Sequence, residues 1–326
     1  MSSGDTGVAK THRSVSGATS GYVRPMTARL PALSLAASPG RRARTVELAK
    51  DIEARGFPGV YCPSFGDALG LCLSIAEATT TLEVGTSIQP IYLQHPVALA
   101  TTASYLHEIA EGRFRLGVGV THGPVIKRLG VETGRPLSDM REYVETMRSS
   151  AEHMGGLPPV VLATLRDKMV GLAVEVGDGA VWANGSLSRM PHSVGLVPDE
   201  RRDAGFWIGN MIPTVIDDDI DAARARNRKT LQGYVALPNY RNYWAEAGYE
   251  AEMQSAKSAI DAGDADAVQA AMSDAWLDDC TLSGPADRIR DGVEAWFDAG
   301  VTPIVVPSST SGGQAKAVAE LVDAFE

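Results

Sequence analysis

Two stretches of the chain place reactive groups where an α/β protein would use them. The first is TLEVGTSIQPIYLQHPVALATTASYLHEIAEGRFRLGVGVTHG, residues 81–123. It reads as strand, polar turn, helix and strand. Thr86, Ser87 and Gln89 fall at the end of one strand, and Gly117, Gly119, Thr121 and His122 at the end of the next. Parallel α/β proteins bind ligands at that carboxyl end. An imidazole titrates near neutrality, which makes His122 the best single acid or base. Glycines at 117 and 119 let a ligand approach the backbone. The second stretch is LATLRDKMVGLA, residues 162–173. A strand ends, Thr164 can cap, and a helix opens with free backbone N–H groups that attract an oxyanion. Arg166 and Lys168 add positive charge. The polar loop PSSTSGG (307–313) is a second anion candidate after a late strand. Each feature also has a plain structural reading: a turn, a solvated cap, a flexible loop.

Other chemistries are excluded by spacing. His122 stands where G-x-G-x-x-G needs its third glycine, and no helix-forming segment is read after it. No H-E-x-x-H or similar spacing exists, so no metal site is expected. There is no G-x-S-x-G elbow and no catalytic-cysteine context. Lys168 lies at a helix start, not buried as a Schiff-base lysine would be.

The elements needed to position these groups are legible as alternating strands and helices. Strands are read at 30–37, 59–63, 82–88, 114–120, 159–163, 179–184, 205–212 and 302–307. Helices intervene at 42–56, 68–79 and after Pro96, then from Ser138, over 165–176 and near 188–204, with 285–299 and 314–325 to follow. A largely helical insertion of residues 217–282 separates strands seven and eight. Its Tyr234, Tyr240, Tyr243, Trp244 and Tyr249 form either a lid or a satellite core. Eight strands alternating with helices predict an α/β fold, a (β/α)8 TIM barrel, with a doubly wound sheet as the alternative. Residues 28–326 read as one domain.

Bulk composition agrees. The chain has 326 residues, 44% hydrophobic and 21% charged, with a net charge of -10. Without a lysine- or arginine-rich run, nucleic acid is an unexpected partner. Three cysteines give no disulfide framework and suit a reducing, cytoplasmic compartment. No apolar run approaches a membrane span. Residues 1–27, rich in Ser, Gly and Thr, read as a disordered extension, and Met26 is a possible native start.

Three segments carry a family resemblance. HPVALATTASYLHEIAEGRFRLGVGV, PPVVLATLRDKMVGLAVEVGDGAVWANG and GPADRIRDGVEAWFDAGVTPIVVPSS occur in that order across roughly residues 28–325. Together they resemble the bacterial-luciferase-like superfamily. That resemblance implies a (β/α)8 barrel, often dimeric, that binds FMN or the deazaflavin coenzyme F420 at the strands' carboxyl ends. By the same resemblance, Thr86, Ser87 and Ile88 match a strand-three bulge behind the cofactor ring. In the deazaflavin members this bulge often holds a non-prolyl cis peptide. Gly119, Thr121 and His122 match the strand-four end beside the ring. Ala163, Thr164, Leu165 and Arg166 match the phosphate loop, and Asn184 and Gly185 the neighbouring strand-six end. Gly85-Thr86-Ser87 and LATLRDKM look more like the F420 members. The implied activity is hydride transfer between F420 and a small organic substrate. The alternatives are an FMN-dependent monooxygenase served by a flavin reductase partner, and a non-catalytic flavin-binding relative. The chain departs from the pattern at CPSFGDA (62–68), where many members carry an acid–histidine pair. His122 or a solvent proton would have to take that role.

Overall fold

Strand residues alternate between two environments, and that alternation builds the molecule. The computed structural model describes Met1, residues 29–151 and residues 153–326. The extension expected over 1–27, and a start at Met26, lie outside the described residues apart from Met1. Eight strands form the barrel: β1 (Ala32–Ser34), β2 (Gly59–Cys62), β3 (Glu83–Thr86), β4 (Phe114–Gly119), β5 (Val160–Ala163), β6 (Gly179–Ala183), β7 (Trp207–Ile216) and β8 (Thr302–Ser308). Each runs parallel to the next, and β8 pairs with both β7 and β1. The ring is therefore closed, as the sequence predicts for a (β/α)8 barrel.

Side chains two apart share a face. Val181 and Ala183, Trp207 and Met211, and Ile304 and Val306 cluster in the lumen with Ala32, Tyr61, Ile88 and Val161. Their neighbours Leu33, Val60, Leu116, Leu162, Ala180, Ile208 and Val305 pack outward under the helices. Most strands are thus apolar on both faces, as a parallel sheet requires; β3 and β4 instead turn Glu83 and Arg115 into the lumen, where they meet Tyr61 and Trp207. Large rings fill the amino-terminal half of the lumen. Tyr61 stacks on Trp207 with ring centroids 5.3 Å apart, and the Arg115 guanidinium lies 4.9 Å from the Trp207 ring centre. Gly85 makes the room: a Cβ there would sit 2.6 Å from the Tyr61 ring. This plug leaves the carboxyl end as the open end.

The helices are α1 (Arg42–Ala54), α2 (Ala68–Ala78), α3 (Pro96–Ile109), α4 (Gly123–Leu129), α5 (Pro136–Ala151), α6 (Asp167–Val176), α7 (Met190–Gly195) and α8 (Asp199–Asp203). Three differ from the sequence reading. Helix α4 follows β4 where no helix was expected. Pro124 suits its first turn, and Gly130, at φ 64°, ends it in the left-handed region. Helix α5 starts at Pro136, so Ser138 lies inside its first turn rather than capping it. The segment read as one helix near 188–204 is broken. Pro198 lacks an N–H and disfavours helix in the residue before it, so the chain restarts there as α8.

The insertion comprises α9 (Ile220–Val235), α10 (Pro238–Trp244), α11 (Glu250–Ala262), α12 (Ala265–Ala270) and α13 (Asp274–Cys280), between β7 and β8 as predicted. Trp244 and Trp276 are fully buried and meet edge to face at 4.8 Å. Arg224 ties α9 to α13 through Asp278 at 2.6 Å. A short strand, Leu282–Gly284, returns beside β7. Helices α14 (Ala286–Asp298) and α15 (Gln314–Ala324) complete the chain. Among the described residues no helix is long and apolar enough to cross a membrane. Cys62, Cys72 and Cys280 are free and buried.

Candidate active site

The residues singled out from the sequence gather at the carboxyl ends of β3, β4, β5 and β6, four consecutive strands of the ring. Thr86, Ser87 and Ile88 form a bulge between β3 and the two-residue strand Gln89–Pro90, which pairs with Val118 and Gly119. The Thr86 hydroxyl donates to the Gly117 carbonyl at 2.8 Å. The Ser87 amide donates to Cys62 O at 2.9 Å, and its hydroxyl meets Met211 Sδ at 2.9 Å. The peptide between Ser87 and Ile88 is cis, at the position the family resemblance implied. Ile88 then folds over β4. A Cβ at Gly119 would lie 2.8 Å from both the Ile88 side chain and the Ala163 Cβ. The space beside this glycine is taken by the chain's own side chains. The room expected there for a ligand is instead a seat for the bulge.

Beyond Gly119 the chain turns through Thr121 and His122 into α4. His122 is the residue before that helix, and its ring makes no capping bond. Tyr234 and Tyr240 of the insertion meet it edge-on, at 6.0 Å and 5.8 Å between ring centres. Burial pushes the His122 pKa below its ordinary value of 6.5. A neutral ring at pH 7 is thus available to accept a proton. Burial raises the Tyr234 hydroxyl above its ordinary pKa, against a smaller opposing effect of the nearby Asn184 amide.

At β5 the strand leads through Thr164 and Leu165 to α6. The Trp182 indole donates to the Leu165 carbonyl at 3.3 Å and fixes this turn. Arg166, not Thr164, is the residue that precedes α6, and no side chain caps the helix. Thr164 is 5% exposed, and among the described residues its hydroxyl has no partner. Positive charge surrounds the helix start. Arg166 pairs with Glu246 of the insertion. Arg189 lies 3.7 Å from the same carboxylate and 3.4 Å from Asp167, and His192 meets Asp167 at 3.0 Å. The hydrogen bond from His192 holds the Asp167 carboxyl below its ordinary pKa. Lys168 is exposed.

At β6, Asn184 adopts φ 57°, a left-handed conformation that asparagine tolerates. The insertion clamps this corner. Trp244 Nε1 donates to Asn184 O at 3.1 Å, and the Ser186 amide donates to the Tyr243 hydroxyl at 2.9 Å. The Gly185 amide donates to Asn210 Oδ1 at 3.1 Å. Around these strand ends five polar atoms are buried and unpartnered among the described residues: Thr121 Oγ1, Thr164 Oγ1, Asn184 Nδ2, Ser186 Oγ and Asn210 Nδ2. Sequence reading missed Ser186, Arg189 and Asn210, and named Tyr243 and Trp244 only within the aromatic cluster of the insertion. Only Asn210 had a signal, as an amide inside the apolar run WIGNMI. The loop 307–313 lies across the ring after β8, away from these groups. No group of three His, Cys, Asp or Glu able to hold a metal is present among the described residues.

Known proteins resemble this chain over most of its length. The 5,10-methylenetetrahydromethanopterin reductase of Archaeoglobus fulgidus is 26% identical over 273 residues, spanning 75% of this chain and 82% of the relative. The coenzyme F420 dependent tetrahydromethanopterin reductase of Methanopyrus kandleri superposes with a TM-score of 0.69 at 17% identity, covering 91% of this chain and all of that one. The oxygenating constituent of 3,6-diketocamphane monooxygenase of Pseudomonas putida, solved with FMN, superposes with a TM-score of 0.60 at 15% identity, covering 91% and 96%. These likenesses show a shared barrel. The luciferase-like monooxygenase family model matches residues 26–303, and the chain belongs to that family of oxidoreductases.

Proposed function

We propose that the protein transfers a hydride between coenzyme F420 and a small organic substrate. The observation that carries this reading is the set of unpartnered polar atoms on Thr121, Thr164, Asn184 and Ser186. Buried polar groups are nearly always paired. Hydroxyls and an amide distributed along three strand ends suit a ligand that is polar along its length and anionic at one end. The uncapped start of α6 suits the anionic end. A deazaflavin, when bound, supplies the carbon centre that gives or takes the hydride.

The chain's own residues do the rest. The Thr86–Ile88 bulge forms a rigid wall from the strand-three side, because its polar atoms are already bonded to Gly117, Cys62 and Met211. Thr164, the α6 amides and Arg166 hold the anionic end, with Arg189 beside them. Asn184 and Ser186 hold polar groups between that end and the ring. His122 takes or gives the substrate proton at its imidazole. Tyr234 and Tyr240 wall off its ring and limit water there. The substrate sits under the insertion that supplies these two rings.

F420 is preferred over FMN because Gly85-Thr86-Ser87 and LATLRDKM resemble the deazaflavin members. The reductase relatives, one of them coenzyme F420 dependent, support this reading. FMN with monooxygenation is the second reading, which the FMN-bound monooxygenase of the same fold keeps open. A pair of fluorescence titrations of the apoprotein, with F420 and with FMN, tests the choice. Tight binding of F420 alone is the expected result. Tight binding of FMN alone would replace hydride transfer by oxygen chemistry with a reductase partner. Binding of neither would remove the cofactor assignment.

A further inference from the structure

The loop PSSTSGG, left aside by the cofactor reading, lines a cavity of about 220 Å³ at the carboxyl ends of β8, β1 and β2. It lies on the opposite side of the barrel mouth from Thr164. Its lining divides by chemistry. Ala36, Val306 and Phe65 supply apolar surface, and Ser308, Ser309, Gln314 and Arg226 polar groups. Phe65 is 78% exposed and adds apolar surface to the lining.

Arg226 is the single charged residue lining the cavity. It projects from α9 of the insertion, and among the described residues it makes no ion pair. Its neighbours on the same helix behave otherwise: Arg224 binds Asp278 and Asp274, and Arg228 binds Asp274. The nearby carboxylates are engaged elsewhere. Asp217 accepts from the Thr310 hydroxyl at 2.6 Å, and Glu320 Oε1 accepts from Ser309 at 3.1 Å with Lys316 at 3.6 Å, while its Oε2 is buried without a partner among the described residues. A second donor points the same way. Gln314 Nε2 is buried without a hydrogen-bond partner among the described residues. A guanidinium and an amide N–H lining one cavity together with apolar side chains form a receptor for an oxyanion carried on an apolar body.

We propose that this cavity is the subsite for the anionic group of the substrate, and that the substrate is a small organic acid whose carboxylate or phosphate group is held there by Arg226 and Gln314 while its reacting part lies toward His122. This rests on the reading above, in which the cofactor's anionic end occupies the Thr164 side and leaves this cavity free. The volume lies below the roughly 300–1,000 Å³ of pockets for drug-sized ligands, which limits the occupant to a small molecule.

The test titrates the full-length protein with benzoate and with inorganic phosphate by calorimetry at low salt, and repeats both with Arg226→Gln and Gln314→Leu. F420 is titrated into the same three proteins. Arg226 is exposed on a helix, so its replacement leaves the fold intact. The expected result is saturable binding of at least one probe, weakened tenfold or more by Arg226→Gln, with F420 affinity unchanged. Preference for benzoate identifies the group as a carboxylate, and preference for phosphate as a phosphate ester. Failure of both probes to bind the wild-type protein, or equal binding by Arg226→Gln, overturns the proposal. Loss of F420 affinity in Arg226→Gln would also overturn it, because the cavity would then belong to the cofactor. Arg226-dependent probe binding in a protein that ignores F420 would instead keep the anion site and remove the cofactor reading.

Discussion

Replacing Thr164 by valine separates the binding role of its hydroxyl from any structural one, because the two roles predict opposite signs. The side chain is 5% exposed, and among the described residues its hydroxyl has no partner. A buried hydroxyl without a partner costs about 1–3 kcal/mol relative to a paired one. Valine keeps the branched shape and removes that cost. The apoprotein should therefore be as stable as wild type or more so, with a melting temperature raised by roughly 1–3 °C for a gain near 1 kcal/mol. Cofactor binding should move the other way. A hydrogen bond to a charged oxyanion contributes about 1.5–3 kcal/mol, so F420 affinity should fall by roughly 10–150-fold. Thr164→Ser keeps the hydroxyl and should restore most of the affinity. The assays are thermal unfolding of the apoprotein and a fluorescence titration with F420. An affinity within twofold of wild type would refute the role of Thr164. So would a clear loss of apoprotein stability, which would show the hydroxyl to be satisfied within the fold.

Three other outcomes follow from the packing and charge around the site. Gly119→Ala places a methyl 2.8 Å from Ile88 and Ala163; urea denaturation should show a loss of about 1–3 kcal/mol, and no loss would mean the bulge is not seated on this glycine. Trp244→Phe removes a fully buried indole and its bond to Asn184 O. It should cost about 1–3 kcal/mol in the same assay and weaken F420 binding, whereas unchanged cofactor affinity would separate the insertion from the site. For His122 the folded pKa is lowered by burial, so below about pH 6.5 the unfolded chain takes up a proton that the folded one refuses. The resulting contribution to stability is complete above that pH and declines as pH falls through it. His122→Gln should flatten the drop in melting temperature between pH 7 and pH 5, and identical slopes would contradict the assignment.

The barrel was legible because most of its strands are apolar on both faces and its crossovers are punctuated by glycine and proline. Leu116, Leu162 and Ile208 declare strands whichever way they point, and Gly56 and Gly112 mark helix ends. The helix start after Thr164 followed from the same pattern, and the bulge at Thr86–Ile88 from family resemblance alone. Short elements were less legible. Seven-residue α4 is too brief to show a helical period, and Pro198 breaks a segment whose composition alone suits a helix. The clamp on the β6 corner was invisible for a different reason. Tyr243 and Trp244 reach Ser186 and Asn184 across 57 and 60 residues of chain, and Arg166 finds Glu246 across 80. No local pattern encodes such pairings. Thr164 shows the limit within a short span: its type suits a cap, yet the helix begins two residues later than a Thr164 cap requires, and the hydroxyl is left free for another partner.

A crystal structure of the protein with F420 bound tests the central claim most directly. The account predicts the cofactor's anionic group at the start of α6, within hydrogen-bond reach of Thr164, and its ring against the Thr86–Ile88 bulge near His122. The same group found in the loop 307–313, beside Arg226 and Gln314, would contradict it.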